Sequence, residues 1–215
     1  MQQDLRVLHF SVGPLDNNTY LVADEAAAEA VVVDPSFGSR PVLDAVRDRG
    51  WRIAAIVNTH CHLDHVVENR WFVEQTGAPL VLHAGELPLM ERLDAQAAWM
   101  GVPVPDATAP GRLVEDGESL AVGAGALRVV LTPGHSPGRI SLLGPGFVIV
   151  GDVLFAGSIG RTDLPGGSLE QLLDSIRRRL LVLPDETIVY PGHGPETTIG
   201  RERRSNPFLA GLETR

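Results

Sequence analysis

The chain has 215 residues, of which 44% are hydrophobic, and its formal net charge is −9. No Ser/Gly-rich linker or charge block divides it, so we expect a single domain over residues 1–215 with a well-buried core. The negative charge argues against a nucleic-acid partner, because that affinity comes largely from clustered basic residues. No apolar run approaches the roughly 18 residues of a membrane helix, so no membrane association is expected.

Two residue types narrow the chemistry and the expected location. Cys61 is the single cysteine, so no internal disulfide can form. Residues 1–4 show no signal-peptide pattern, and we therefore expect a cytoplasmic protein. All 18 basic residues are arginine, which leaves neither a Schiff base nor a lysine nucleophile available.

Apolar periodicity predicts strands and helices that alternate along the chain. Strands are expected at 5–13, 19–23, 30–33, 52–58, 127–131, 147–150 and 187–190. Helices are expected at 40–50, 66–77, 86–101 and 169–183. Pro41 begins the first helix, and Gly50 and Gly77 end the first two. The pattern is typical of an α/β protein.

A histidine-rich hexapeptide directly follows the fourth predicted strand, and residues 60–65 read HCHLDH. In an extended chain alternate side chains point the same way, so His60 and His62 can share one metal ion. Asp64 and His65 fall where the apolar pattern becomes helical, and they approach from a different direction. One short loop can therefore supply ligands to two adjacent ions.

Three further candidate ligands come just after predicted strands: His135, Asp152 and His193. Strand ends aligned along one edge of a sheet would bring them to the hexapeptide, where a rigid scaffold presents functional loops. The alternative is that these histidines are buried and satisfied by backbone hydrogen bonds. The hexapeptide together with three downstream partners favours a metal site.

These residues resemble the ligand set of the metallo-β-lactamase superfamily. The set comprises His60, His62, Asp64, His65, His135, Asp152 and His193. The resemblance extends from the strand at 17–21 to residues 206–208. Segments 151–155, 160–163 and 190–194 are similar to the short bacterial glyoxalase II-type hydrolases. The resemblance implies an αββα sandwich of two mixed β-sheets, face to face, with helices outside.

By the family pattern, two groups of three ligands each hold one divalent ion and an aspartate bridges the ions. The groups are His60, His62 and His135, and Asp64, His65 and His193, with Asp152 as the bridge. Zinc is the first metal expected, with iron or manganese as alternatives. The candidate catalytic residues are Asp64 and Asp152. The implied reaction is attack of a metal-bridging hydroxide on a small-molecule thioester, S-lactoylglutathione or a related hydroxyacyl-glutathione.

Several side chains are candidates for supporting roles. Asp34 and Asp163 are candidates to accept the second N–H of ligand imidazoles, as carboxylates near metals usually do. The alternatives are a turn carboxylate at Asp34 and a surface ion pair between Asp163 and Arg161. Candidates to contact the carboxylates of glutathione are Arg201, Arg203 and Arg204.

A competing motif names a different class of enzyme. Residues 134–138 match GxSxG, the nucleophile elbow of serine hydrolases. That elbow needs the backbone N–H of the residue after the nucleophile, and Pro137 has none. We therefore expect Ser136 to shape the loop that presents His135.

Three alternative functions stay open on the same ligand set. Persulfide dioxygenases share the hexapeptide but use a single iron, held here by His60, His135 and Asp152. A lactonase would use the binuclear site on a cyclic ester. A non-catalytic binding module would be expected to have lost ligands, and here every ligand position is kept. The oligomeric state cannot be inferred from the sequence.

Overall fold

A six-stranded mixed sheet forms the first layer of the computed structural model, which describes residues 4–212. Its strands are β1 (Arg6–Val12), β2 (Asn17–Asp24), β3 (Glu29–Val33), β4 (Arg52–Val57), β5 (Leu80–His83) and β6 (Arg112–Val114). They lie side by side in chain order. Strands β1 to β3 are antiparallel, and β3 to β6 are parallel.

The second half of the chain builds a second mixed sheet. Its strands are β7 (Ser119–Val122), β8 (Gly125–Leu131), β9 (Ile140–Gly144), β10 (Phe147–Gly151), β13 (Ile188–Pro191) and β14 (Thr197–Thr198). The order is β14-β13-β10-β9-β8-β7, and only β10 and β13 are parallel among these neighbours. A small hairpin, β11 (Leu154–Phe155) and β12 (Ser158–Ile159), follows β10.

Seven short α-helices accompany the sheets within residues 4–212. They are α1 (Pro41–Asp48), α2 (Leu63–Val66), α3 (Asn69–Thr76), α4 (Leu87–Met90), α5 (Leu93–Met100), α6 (Leu169–Ser175) and α7 (Ile199–Ser205). A 3-10 turn at Ala84–Glu86 precedes α4, and a π-helical turn at Ile176–Leu180 continues α6. No helix in this range is long and apolar enough to cross a membrane.

Apolar side chains fill three layers, which shows how the sheets and helices stack. The middle layer lies between the two sheets and includes Val33 and Ile149. Phe72 of α3 packs in an outer layer against the first sheet, and Leu172 of α6 packs in the other, against the second. The predicted αββα sandwich is therefore confirmed.

The predicted helix boundaries need two corrections near the hexapeptide. The helix expected to begin at Val66 begins at Leu63, so Asp64 and His65 lie on α2, and a break separates α2 from α3. The helix expected over 86–101 is interrupted around Arg92, whose backbone leaves the helical region. The apolar pattern did not predict β5, β6, β7, β9, β11, β12 and β14, and the last three have only two residues each.

Phe72 gives a test of the outer helical layer. Its side chain is fully buried, and Phe72→Ala should lower the free energy of unfolding by about 3–5 kcal/mol, because it leaves a cavity. Phe208 is 52% exposed, and Phe208→Ala should cost less than about 1 kcal/mol. Urea denaturation measures both values. Equal losses in the two variants would contradict this packing.

Candidate metal centre

The seven predicted ligands meet at one edge of the sandwich. His60 and His62 follow β4, and the short α2 carries Asp64 and His65. The other three side chains come from the second sheet, after β8, β10 and β13: His135, Asp152 and His193. Both sheets therefore contribute side chains to one site, as the strand-end pattern predicts.

The first cluster consists of three histidines, His60, His62 and His135. His62 Nδ1 lies 2.8 Å from His135 Nε2, which in turn lies 3.3 Å from His60 Nε2. Burial lowers the pKa of His62 to about 4 and that of His135 to about 3, and it also lowers the pKa of His60. All three imidazoles are therefore neutral at pH 7 and carry a free nitrogen lone pair.

The second cluster combines one carboxylate with two histidines, Asp64, His65 and His193. The two Nε2 atoms lie 3.2 Å apart, and each lies 3.4 Å from Asp64 Oδ2. Burial opposes charge on both rings, but the carboxylates of Asp64 and Asp152 outweigh it. They raise the pKa of His193 to about 10 and that of His65 well above its ordinary value. This cluster attracts positive charge.

Asp152 lies between the two clusters and contacts both. Its Oδ1 is 3.5 Å from His65 Nε2, while Oδ2 is 3.5 Å from His193 Nε2 and 3.7 Å from His135 Nε2. Burial alone would raise its pKa, but the neighbouring His65 and His193 hold the pKa well below the ordinary range. Asp152 Oδ1 is buried and has no hydrogen-bond partner within residues 4–212. A buried carboxylate oxygen in that state fits a cation ligand.

Asp34 orients the imidazoles of both clusters, as the sequence predicts. Its Oδ2 accepts from Thr59 Oγ1 at 2.6 Å and lies 3.2 Å from His65 Nδ1. Its Oδ1 accepts from the Thr59 backbone N–H at 2.7 Å. Thr59 Oγ1 lies 3.1 Å from His60 Nδ1 and extends the contact to the other cluster. Each Nε2 is thereby directed into the site.

The expectation for Asp163 is wrong. Its carboxylate accepts two hydrogen bonds from the adjacent Arg161, at 2.8 and 2.7 Å, on the exposed surface. His135 Nδ1 instead donates to the backbone carbonyl of Arg161 at 2.8 Å. A main-chain oxygen fixes this imidazole, and no side-chain pattern in the sequence indicates it.

Two asparagines missed at the sequence level connect β2 to the site. Asn17 Nδ2 donates to Asp64 Oδ2 at 2.9 Å. Asn18 Nδ2 donates to the carbonyls of Pro191 and Gly194, at 2.9 and 2.8 Å, on either side of His193. Both asparagines are buried at the start of an apolar strand, and that unusual placement is the signal that could have found them.

Arg139 is a second residue that sequence reasoning missed. It is fully buried and donates from Nη2 to the carbonyl of Val150, two residues before Asp152, at 2.5 Å. Its Nε and Nη1 have no hydrogen-bond partner in the described range. Burial lowers its pKa to about 10, so the group stays positive at pH 7 beneath the carboxylates. Nothing in the local sequence distinguishes it from a surface arginine.

The Ser136 side chain lies in the loop that carries His135 and is bound to Glu86. Its hydroxyl is buried and donates to Glu86 Oε1 at 2.7 Å. Pro137 follows it, and no ligand histidine is hydrogen-bonded to its oxygen among residues 4–212. The expected role in shaping the His135 loop is confirmed.

A cleft of about 550 Å³ opens beside Asp152 and His193. Its other walls are Leu15, Asp16, Phe155, Ala156, Ser158, Ile159, Arg161, Gly194 and Pro195. Of the arginines suggested to contact glutathione, Arg203 and Arg204 instead pair with Asp185. Arg161 is the arginine that borders this cleft.

The family model of the metallo-beta-lactamase superfamily matches residues 12–193. The chain belongs to this superfamily. Among curated relatives, the probable metallo-hydrolase YqgX of Bacillus subtilis is 38% identical, covering 94% of this chain and 96% of the relative. The hydroxyacylglutathione hydrolase GloC of Haemophilus influenzae is 36% identical, covering 92% and 95%.

Solved structures of superfamily members superpose over nearly the whole chain. The B3 metallo-beta-lactamase BLEG-1 has a TM-score of 0.89 at 36% identity, with 96% of this chain and 100% of that chain covered. TTHA1623 in a di-iron-bound form has a TM-score of 0.85 at 40% identity, with 94% and 100% covered. ETHE1 from Myxococcus xanthus has a TM-score of 0.80 at 33% identity, with 97% and 85% covered.

Asp34 and Asp163 provide a matched test of which aspartate supports the centre. In the metal-free protein, Asp34→Ala should lower the free energy of unfolding by about 1–3 kcal/mol, because it leaves the buried Thr59 N–H without its acceptor. Asp163→Ala removes only an exposed ion pair and should cost less than about 1 kcal/mol. Urea denaturation compares the variants, and an equal cost would refute the assignment.

Proposed function

We propose that the protein is a metal-dependent hydrolase that cleaves a small-molecule thioester of the hydroxyacyl-glutathione class. The observation that carries this proposal is the pair of donor clusters with Asp152 between them. Three neutral histidines on one side, and two histidines with a carboxylate on the other, supply more donors than one ion uses. The residues present therefore fit two divalent cations.

The ligand assignment follows the two clusters. His60, His62 and His135 would hold the first ion, and Asp64, His65 and His193 the second, with Asp152 shared. Nitrogen and carboxylate donors suit zinc, iron and manganese. The di-iron-bound form of TTHA1623, at 40% identity, supports iron beside the zinc first expected. When bound, two such ions lower the pKa of a shared water towards neutrality and polarise a carbonyl oxygen.

The chain's own residues prepare this chemistry. Asp64 has a pKa well below its ordinary value, because the nearby His65 and His193 overcome the effect of its burial. A carboxylate in that state suits a ligand better than a proton carrier, so we assign Asp64 to metal binding first. Phe155 and Ile159 form an apolar wall beside Asp152, which would exclude water from one side of the substrate.

The thioester assignment is supported by the comparison with GloC, which is named a hydroxyacylglutathione hydrolase. Arg161 and Ser158 border the cleft and offer polar contacts to a bound substrate. The cleft volume of about 550 Å³ lies within the usual range for small-molecule sites.

A persulfide dioxygenase is the second candidate, and the likeness to ETHE1 fits it as well as it fits the hydrolase. Its three iron ligands would be His60, His135 and Asp152, which also converge: His135 Nε2 lies 3.3 Å from His60 Nε2 and 3.7 Å from Asp152 Oδ2. A single iron held this way leaves the second cluster without a role. That cluster is complete here, and it supports the binuclear hydrolase.

The two candidates differ in what they require of His193. His193→Ala should retain about one ion per chain and lose thioester hydrolysis by orders of magnitude, because the second ion loses a ligand. Asp152→Ala should weaken both ions and abolish nearly all turnover. Arg47, an exposed residue of α1 outside the centre, provides the control Arg47→Ala. Metal analysis and S-lactoylglutathione hydrolysis are measured on each protein.

Two results would contradict the proposal. A His193→Ala protein that keeps one metal ion and undiminished thioester hydrolysis would overturn the two-ion mechanism. A wild-type protein that holds one iron and consumes oxygen with glutathione persulfide would overturn the hydrolase. A lactone and a β-lactam complete the substrate panel, and faster turnover of either would reassign the substrate on the same centre.

Ser136 tests the competing serine mechanism. Ser136→Ala should keep thioester hydrolysis within about tenfold of wild type, a barrier change of about 1.4 kcal/mol. The reason is that the hydroxyl donates a hydrogen bond to Glu86 and is not the proposed nucleophile. Steady-state kinetics and metal content are both measured. Loss of turnover at full metal content would point to a serine nucleophile.

A further inference from the structure

Side chains from outside the centre bind the backbone of the hexapeptide between its ligands. The N–H of Cys61 donates to Glu86 Oε2 at 2.8 Å, and the N–H of Leu63 donates to Gln96 Oε1 at 2.9 Å. Gln96 Nε2 donates in turn to the carbonyl of Cys61 at 3.3 Å. The bound residues alternate with ligands along the chain, so these contacts restrain the backbone from which the ligand side chains project.

Glu86 also reaches the loop that carries His135. Its Oε1 accepts from Ser136 Oγ at 2.7 Å and from the Gly138 N–H at 2.9 Å. The Glu86 side chain is fully buried. One carboxylate therefore connects the hexapeptide, which follows β4 of the first sheet, to the loop that follows β8 of the second sheet. The three-histidine cluster draws its ligands from these same two loops.

The backbones on either side of this contact lie too close for any side chain. A Cβ on Gly138 would lie 2.4 Å from the carbonyl carbon of Gly85, and one on Gly85 would lie 2.7 Å from the Cα of Gly138. Glycine at both positions lets the turn that carries Glu86 lie directly on the His135 loop. The carboxylate is thereby fixed in position.

The second cluster is held by other residues. Asp64 accepts from Asn17, His65 contacts Asp34, and His193 Nδ1 donates to the carbonyl of Leu15 at 2.9 Å. Among residues 4–212, Glu86 makes no hydrogen bond to these three ligands. The contact through Glu86 therefore acts on one cluster alone.

We propose that Glu86, assisted by Gln96, is a positioning residue that sets the spacing of His60, His62 and His135 before metal binds. We call this pair the clasp. The inference rests on the proposed metal centre. It states that Glu86 strengthens binding of the first ion although it is not itself a metal ligand. Outer contacts of this kind typically change metal affinity by about 10–100-fold when they are removed.

The variant Glu86→Gln tests the clasp with little change in volume. An amide has one oxygen, so its NH₂ group must face the N–H of Cys61 or that of Gly138, and one buried N–H loses its acceptor. Cobalt(II) titration of the metal-free protein, followed by visible absorption, should show the first ion weakened by about 10–100-fold and the second unchanged. Exposed Glu91 supplies the control Glu91→Gln.

Cys61 supplies a second measurement that needs no metal. It is the single cysteine, and it is fully buried within the clasped loop. In the metal-free protein its thiol should react with a thiol reagent at least severalfold faster in Glu86→Gln than in wild type. Gln96→Met removes the other side of the clasp and should act in the same direction, with exposed Gln75→Met as its control.

Equal weakening of both ions together with a lower Tm would assign Glu86 to general stability and overturn the proposal. Wild-type cobalt affinity and wild-type Cys61 reactivity in both clasp variants would also overturn it. If wild-type protein binds no cobalt, the metal centre is refuted, and the Cys61 rates alone decide the clasp. If Glu86→Gln does not fold, the rate of Cys61 modification in Gln96→Met decides the clasp.

Discussion

The buried carboxylate of Asp152 is the interaction on which the centre depends. Asp152 lies against imidazoles of both clusters, and its negative charge attracts His65 and His193. Burying a charge is costly unless opposite charges and hydrogen bonds surround it, so the site needs cations. The αββα sandwich supplies the geometry by ending several strands of both sheets at one edge.

Two glycines in the backbone near Asp152 position its carboxylate and leave room for it. Gly151 has a φ of +48°, which carries the chain from β10 into the ligand position. A Cβ at Gly192 would lie 2.1 Å from Asp152 Oδ1, so only glycine leaves room there. The two parallel strands β10 and β13 thus bring Asp152 Oδ2 to within 3.5 Å of His193 Nε2.

The two clusters differ in how they are held, and this matters for function. Asp34 serves both, directly through His65 and through Thr59 to His60. Asn17 then holds the second cluster, while the clasp holds the loops of the first. Asn17 and the clasp contact different clusters, so we expect substitutions there to change the affinity of one proposed ion more than that of the other.

The sequence alone identified the candidate ligands, because each lies just after an apolar strand or at the onset of a helix. The hexapeptide places donors by the alternation of an extended chain and the onset of a helix, and three further donors come directly after apolar strands. The sequence also named Asp34 and Asp163 as candidates to support the centre, but it did not distinguish between them. Strands β11 and β14 were missed because two residues carry no periodicity.

The supporting contacts were decided only by the tertiary structure. Asp163 and Asp34 were both candidates to support a ligand imidazole. In the structure Asp163 pairs with the nearby Arg161, while Asp34 contacts His65, 31 residues away. Asn17 meets Asp64 across 47 residues, and Glu86 meets Gly138 across 52. No local pattern encodes such pairs, because their partners become neighbours only when the two sheets pack face to face.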